Sequence, residues 1–443
     1  MIKNQKEYDW LNLEPTKERY SKLLSWQKDI VERFNPNLFG IPDHNLMKFI
    51  YSISKKQEVE EIGSCRPYDH TMSHSVDKYV TQKLPFNLIK KHVFDLGKIE
   101  VHGIHPDALE DVANFLGYKI IKNINFKHNS STKKFNTQRP TFHFALNKKG
   151  EKIILIATIP GRDYILHYGS LIRHYLNTLT RDHKEILSLY RYPFAENSIH
   201  YWTKLYHDLI KKDDVVILGY VAELALFFKK NTDWKIESEI ENDFYHSIRM
   251  ITTRGSKINL LGVKYTFWGN ISAKLAYQIL RLDAKEIIYC GKLGTLTSTS
   301  DLYNKIFSPS KYAIMYHDKL IGKIDTLQHP IHDLFPEINS GYHVSVPTVL
   351  EEDYLQRKIT VELGITSIDN EISQIAFAVS RFNKEYNKNA RFVALHFATD
   401  YLRNDKERAE KTIFDLSNNR SKIAQEKKMR MIEKIGKLLI QYL

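Results

Sequence analysis

The 443-residue chain predicts an α/β region over about 212–443, preceded by an α+β region with a helical start. Three observations predict it. After Lys212, short apolar runs closed by glycine alternate with amphipathic stretches, the rhythm of strands and helices in a sheet with parallel strands. Before it, strand-like and helical runs are mixed without that alternation. The length also exceeds what one ordinary core accommodates, and 42% apolar residues suffice for well-packed globular structure.

Taken in order, residues 1–95 are expected to be mainly helical. KERYSKLLSWQKDIVERF spaces Tyr20, Leu23, Leu24, Ile30 and Val31 along one helical stripe. Over 96–205, HPDALEDVANFLGY reads as a short helix with Asp107 near its start. KIIKNINF, TFHFALN and KIILIATI read as strands, and LIRHYLNTLT and HYWTKLYHDLIKK as helices. From 212 on, DVVILGY is a short strand ending at Gly219, and INLLGVKYTFWG offers one strand or two before Gly269. ISAKLAYQILRL is an amphipathic helix, and EIIYCGKLG a strand closed by Gly291 and Gly294. YHVSVPTVL is a strand, SIDNEISQIAFAVSRFN a loop entering a helix, and RFVALHFATD a buried strand ending at Asp400. A helical tail over about 405–443 closes the chain.

Composition narrows the class of protein. No run approaches the ~20 apolar residues that span a bilayer, and MIKNQKEYDW lacks the apolar stretch of a signal peptide. Two cysteines, Cys65 and Cys290, argue against a disulfide scaffold and fit a reducing compartment. The expected location is cytoplasmic, with export by a route lacking a cleaved signal left open. The formal charge is +13, and residues 121–150 hold seven Lys or Arg and no acid, interleaved with Phe126, Phe135 and Phe142. Such a surface attracts nucleic acid, anionic lipid or phosphorylated small molecules. The plain reading is a solvated, lysine-rich surface; no nucleic-acid module surrounds it, and nucleic acid is not the expected partner.

Ligands of parallel α/β sheets bind at the carboxyl ends of strands. Gly219, Gly269, Gly291 and Gly294 fall at predicted strand ends, where a missing Cβ lets a ligand approach the backbone. Asp400 ends an apolar strand, where desolvation suits a carboxyl group to deliver a proton; it equally suits capping a following helix. Asp369 and Glu371 lie two apart, and in extended backbone they point to one side as acceptors for a vicinal diol such as that of ribose. Ser367 or Asp369 as a helix cap is the other reading. Asp69, His70 and His74 have metal-ligand or turn-and-cap readings; no metal or organic cofactor is expected. Arg162, His167, Arg173 and His174 suit a phosphate, a partner strand or a polar helix face.

GVKYTFWGNISAKLAYQILRLDAKEIIYCGKLGTL, YHVSVPTVLEEDYLQRK, SIDNEISQIAFAV and FVALHFATDYL, in that order, resemble the nucleoside phosphorylase and nucleosidase superfamily over about 212–443. The resemblance implies a mixed sheet flanked by helices and cleavage of a purine N-glycosidic bond. The family's acid–Met–Glu signature reads Asp369–Asn370–Glu371 here, and its Ser-Asp reads Thr399–Asp400. It implies that Glu371 holds ribose hydroxyls with Asp369 assisting, and that Asp400 protonates or hydrogen-bonds the purine N7. Gly269 and Asn270 belong to its glycine-containing loop before a helix, and Thr348 and Val349 fall where base and sugar are lined. Glu223, four past Gly219, is the nearest candidate to orient water. Tyr289 stands where phosphorolytic members carry a phosphate-gripping arginine, which favours water as nucleophile. Asn370 replaces a methionine beneath the sugar, and Lys292 and Leu293 replace small residues; Lys292 either meets a nucleotide's phosphate or is simply exposed. The layout is loosely similar to that of bacterial AMP nucleosidase. The expected activity is therefore hydrolysis of a purine nucleoside or nucleotide by a homo-oligomer. The alternatives are a phosphate-dependent phosphorylase and a non-catalytic nucleoside- or nucleotide-sensing module.

Overall fold

A computed structural model describes residues 57–58, 76–95, 97–106, 109–126, 134–177, 179, 186–191, 209–242, 244–316, 319–325, 327, 329–351, 354–402 and 422–443. The helical stripe from Tyr20 to Val31, Cys65, the Asp69–His70–His74 group, Asp107 and most of HYWTKLYHDLIKK lie outside them. The chain forms two compact units. Residues 80–95, expected in a separate helical region, belong to the same unit as 98–106 and 109–126, and 134–137 belong to the C-terminal unit.

The first unit contains β1 (Gln57–Glu58), α1 (Val76–Lys83, which runs on from the second unit), α2 (Phe86–Phe94), β2 (Lys98–His102), α3 (Leu109–Leu116), β3 (Lys119–Ile124), β4 (Thr141–Leu146), β5 (Lys152–Ala157), α4 (Arg162–Asn177) and β6 (Leu187–Arg191). The described strands form one sheet in the order β1-β6-β2-β5-β4-β3. β2 runs parallel to β5 and β6, and β4 runs antiparallel to β5 and β3. Ile99, Val101, Ile154 and Ile156 alternate along β2 and β5 and are fully buried. The three strands read from β-branched and aromatic runs are present as β3, β4 and β5.

The second unit holds β7 (Val215–Gly219), α5 (Val221–Asn231), β8 (Lys235–Glu241), β9 (Tyr245–Ile251), β10 (Lys257–Val263), α6 (Asn270–Arg281), β11 (Glu286–Thr295), β12 (Ile306–Phe307), β13 (Lys311–Tyr316), β14 (Lys319–Ile324), α7 (Pro330–Leu334), β15 (Tyr342–Ser345), α8 (Tyr354–Glu362), β16 (Ile365–Asp369), α9 (Ile372–Tyr386), β17 (Arg391–Tyr401) and α10 (Lys422–Tyr442). The sheet order is β14-β13-β15-β16-β11-β7-β10-β9-β8, with β17 on β11 and β12 on β17. It is a mixed sheet flanked by helices, as the sequence predicts. Around its centre β7 pairs in parallel with β10 and β11, and β11 with β17, while β16 runs antiparallel to β11.

β11 is the pivot. It pairs with β7 through residues 286–290, with β16 through 294–295, and with β17 along its length. Two expectations are corrected here. Gly291 and Gly294 lie inside β11, not in a turn that closes it, and Asp400 lies inside β17, which runs on to Tyr401. One face of this sheet buries Ile217, Ile288, Cys290, Val393 and Leu395 against Phe228 of α5 and Ile432, Ile435 and Leu439 of α10. Cys290 is a free, buried thiol. Phe227 occupies the space a side chain at Gly436 would need, so α5 and α10 pack closely. Among the described residues, no helix is long and apolar enough to cross a membrane.

Away from the strand ends, buried Arg249 of β9 donates to Asp214 through Nη2 (2.6 Å) and Nε (3.2 Å), and also meets Glu237. A buried ion pair broken on one side leaves an uncompensated charge, which costs about 3–5 kcal/mol. Asp214→Ala is expected to lower the urea unfolding free energy by that amount. A loss under about 1 kcal/mol, the range of an exposed pair, would show that Arg249 finds another partner.

Candidate active site at the strand ends of the C-terminal unit

Asp369 is the last residue of β16, and its carboxylate is buried. It accepts from His343 Nε2 (2.8 Å), Ser345 Oγ (2.6 Å) and the backbone N–H groups of Glu371 (3.1 Å) and Ile372 (3.0 Å). His343 Nδ1 lies 2.8 Å from Ser367 Oγ. Burial alone raises a carboxyl pKa; the His343 contact and the Ser345 hydroxyl outweigh it and hold Asp369 below the ordinary value. The donors come from β15 and from the start of α9 and converge on Oδ1, whereas, among the described residues, Oδ2 accepts only from Ile372 N. The helix-cap reading is the one realised.

That cap places the next two residues. Asn370 is buried, and its Nδ2 donates to the Val346 carbonyl at 2.6 Å. Glu371 occupies the N-cap position of α9 and is half-buried. The phenol of Tyr289 is raised above its ordinary pKa first by burial and then by the charge of Glu371.

The starts of two helices meet here. Gly269, with φ 56°, precedes α6, a left-handed conformation that suits glycine. Ser272 Oγ donates to the Gly269 carbonyl (2.6 Å) and lies 3.4 Å from the Glu371 carbonyl. Trp268 Nε1 donates to the Pro347 carbonyl at 2.8 Å, drawing in the loop of Thr348 and Val349. Thr348 Oγ1 accepts from Leu350 N, and Asn270, Thr348 and Val349 are all buried. Gly269, Asn270, Thr348, Val349, Asn370 and Glu371 are thus brought together.

Asp400 joins from β17. Thr399 Oγ1 donates to Asp400 Oδ1 at 2.8 Å. The β11–β17 ladder skips Thr399, and Asp400 pairs with Gly294, which on its other side pairs with Ile368. The Ile368 and Asp400 backbones are therefore two strand spacings apart, about 10 Å. A Cβ at Gly294 would come within 2.8 Å of Asp400 Oδ2, so this glycine leaves room for the carboxylate. Tyr303 is pushed up to about 12 by burial and then by the charge of Asp400. Tyr303 and Tyr220 both lie against the Phe397 ring, Tyr220 stacked at 5.8 Å. Burial raises Tyr220 as well, with contributions from Glu223 and Tyr303, and Tyr220 in turn raises Tyr289. Tyr220 and Tyr303 thus flank Phe397, while Tyr289 packs on Phe267 and His396.

Two expected site residues do other work. At Gly219, φ 102°, a Cβ would overlap the Cys290 carbonyl; at Gly291 it would lie 2.5 Å from His396 Nε2. Both glycines make room for the protein itself, which corrects their expected role at the ligand. Glu223 lies in the first turn of α5, 3.5 Å from Lys428 Nζ, which also sits 4.7 Å above the Tyr220 ring. Lys292 is exposed.

The sequence analysis missed His396. It is completely buried, edge-on to Tyr289 (4.7 Å), and neither ring nitrogen has a hydrogen-bond partner. Burial pushes its pKa down to about 3, against the opposing pull of Asp369. The available signal was a histidine inside the apolar run RFVALHFAT.

No family model matches the sequence. The curated protein Oxidoreductase cns1 of Cordyceps militaris is 28% identical over 377 residues, 82% of this chain and 47% of that one, so this chain spans about half the length of the curated relative it matches. Among solved structures, Helicobacter pylori MTAN overlaps 52% of this chain and 100% of its own at 14% identity and a TM-score of 0.37. Futalosine hydrolase of Helicobacter pylori overlaps 53% and 99% at 12% identity and 0.36. Purine nucleoside phosphorylase from Toxoplasma gondii overlaps 54% and 94% at 12% identity and 0.38. Overlays at these scores establish no shared activity.

His396 also governs an acid response. Its folded pKa of about 3 lies below the ordinary histidine value of 6.5, so the unfolded chain takes up the proton first. The resulting stability is fully present above pH 6.5 and is lost toward pH 3, at about 1.4 kcal/mol per pH unit. His396→Leu is expected to flatten urea-derived stability between pH 6 and 4.5 by that slope. An unchanged slope would show that the ring protonates without unfolding.

Proposed function

We propose that the C-terminal unit hydrolyses the N-glycosidic bond of a purine nucleoside or nucleotide. What supports this reading is the β16–β11–β17 pairing, which sets Ile368, just before Asp369–Asn370–Glu371, two strands from Asp400 across Gly294. Breaking that bond leaves positive charge on the sugar and negative charge on the base. Acceptors at the sugar and a donor at the base stabilise that separation more than they stabilise the ground state. Glu371 accepts from the ribose hydroxyls. Asp400 gives a proton or hydrogen bond to N7. The partly exposed Tyr220 and Tyr303 offer the base an aromatic surface. Asp369 holds α9, and with it Glu371. Glu223, beside Tyr220, orients the water. Tyr289 provides no bidentate grip on phosphate, which supports water as the nucleophile.

The name of the curated relative suggests a rival reading as an oxidoreductase. The 18 glycines of this chain include no pair separated by a single residue, so the sequence contains no G-x-G-x-x-G dinucleotide fingerprint. A phosphorylase and a sensing module remain the other rivals. A homo-oligomeric, cytoplasmic enzyme completes the proposal.

The test is release of free base from adenosine, inosine and AMP, read by chromatography with and without phosphate. Phosphate-independent release is expected. Asp400→Asn and Glu371→Gln should each lower kcat/KM by about 10²–10⁴, the usual weight of a positioned proton donor or charge partner. Strict phosphate dependence would replace hydrolysis by phosphorolysis. Release that Asp400→Asn leaves untouched, or none from the parent protein, ends the glycosidic reading. Substrate-dependent NADH or NADPH absorbance would favour the oxidoreductase.

A further inference from the structure

A short helix of the second unit is fastened by two stacked histidines that the candidate site does not use. α7 has five residues, Pro330–Leu334, too few to hold its shape by its own hydrogen bonds. Contacts with the rest of the unit tie it down. Ile331 is fully buried in the core that also contains Ile306 and Ile338. His329, at the N-cap position, places Nε2 2.8 Å from the Tyr312 hydroxyl of β13. His332 places Nε2 2.9 Å from the Ser308 carbonyl, one residue past β12. The two imidazole rings stack on each other, with centroids 4.7 Å apart and planes 15° apart.

These contacts fix where each ring carries its proton. A carbonyl only accepts, so His332 Nε2 is the donor to Ser308. Tyr312 OH donates to the Pro309 carbonyl at 2.6 Å, so it accepts from His329, whose Nε2 also carries the proton. In both neutral rings the remaining basic atom is Nδ1. His329 Nδ1 is buried and has no hydrogen-bond partner among the described residues. A proton arriving there meets no acceptor, and it sets a positive charge against the face of the second ring. Burial, and then His332, push the His329 pKa down to about 3; burial lowers His332 as well. The exposed carboxylate of Asp333 acts on His332 in the opposite sense. Tyr312 faces the pair from β13 as a neutral phenol, raised by burial, and Ser308 faces it through its carbonyl.

We propose that this histidine stack is an acid-sensitive latch: neutral, it holds α7 against β13 and the end of β12; protonated, it lets α7 lift away. Once α7 lifts, each imidazole meets water and returns to its ordinary value of 6.5, so the open state takes up protons more readily than the closed one. Closure is fully favoured above pH 6.5 and is lost as the pH falls toward 3. For His329 alone, this linkage raises the open population about tenfold between pH 7.5 and 5.5. Ser308 keeps a second bond, its carbonyl accepting from Ser340 N at 3.2 Å, and β12 keeps its pairing with β17. The motion is therefore confined to α7. It does not depend on the glycosidic reading.

Hydrogen–deuterium exchange of the parent protein at pH 7.5 and 5.5, with labelling times scaled for the intrinsic rate, tests the latch. At pH 5.5, peptides covering 329–335 are expected to exchange at least about tenfold faster than that scaling. Peptides covering 257–263 of β10 are expected to follow it. The double variant His329→Gln/His332→Gln keeps donors toward Tyr312 and Ser308 but cannot titrate, so its 329–335 peptides should show no excess. His329→Gln alone should remove about tenfold of the excess, a second readout where the double variant does not fold. Equal scaled rates in the parent overturn the proposal. So does an excess that survives in the variants, or one that β10 shares, because the whole sheet then responds to acid.

Discussion

The Asp369 carboxylate ties the second unit's candidate site together. It is a buried charge, tolerated because β15 and the start of α9 both supply it with donors. His343 and Ser345 belong to β15, Asp369 itself ends β16, and the two backbone donors open α9. One side chain therefore locks two strands and a helix into a single arrangement. Charge-assisted hydrogen bonds contribute about 1.5–3 kcal/mol each, so this junction is among the least yielding parts of the unit. The direction of Glu371 follows from it, since Glu371 is the N-cap of the helix that Asp369 holds.

β11 provides the second constraint. A strand that must pair with β7 near its start and β16 near its end, with β17 alongside throughout, cannot stay flat. The irregularity at Leu293/Gly294 absorbs the change, and Thr399 is the residue the ladder leaves over. Bulges of this kind re-aim side chains near functional sites. Here the bulge precedes Asp400 and faces a glycine small enough to admit its carboxylate.

Much of this was legible in the sequence because apolar runs and helical stripes report burial directly. β7, β11, β17, α6 and α9 announce themselves that way, and Asp369, Glu371 and Asp400 stand out as acids against apolar neighbours. Strand ends were read less well. Glycine and aspartate look like punctuation, yet β11 and β17 run through them because neighbouring ladders satisfy the backbone on both sides. β8, KIESEIE, went unread because an edge strand with mostly exposed side chains carries little apolar signal. Which helix-start acid is enclosed by donors depends on what stands opposite, and His343 lies 26 residues before Asp369. The strand order of the first unit is encoded by no local pattern.

Cys290 lies at the centre of these pairings, with its carbonyl against Gly219 and its thiol sealed in the core. Burial pushes that thiol far up from its ordinary pKa, so almost none of it exists as the reactive thiolate. In a chain whose other cysteine, Cys65, has been replaced by serine, alkylation of Cys290 becomes a clock for the opening of the central strand. The molecule thus carries its own reporter of when the middle of the sheet comes apart.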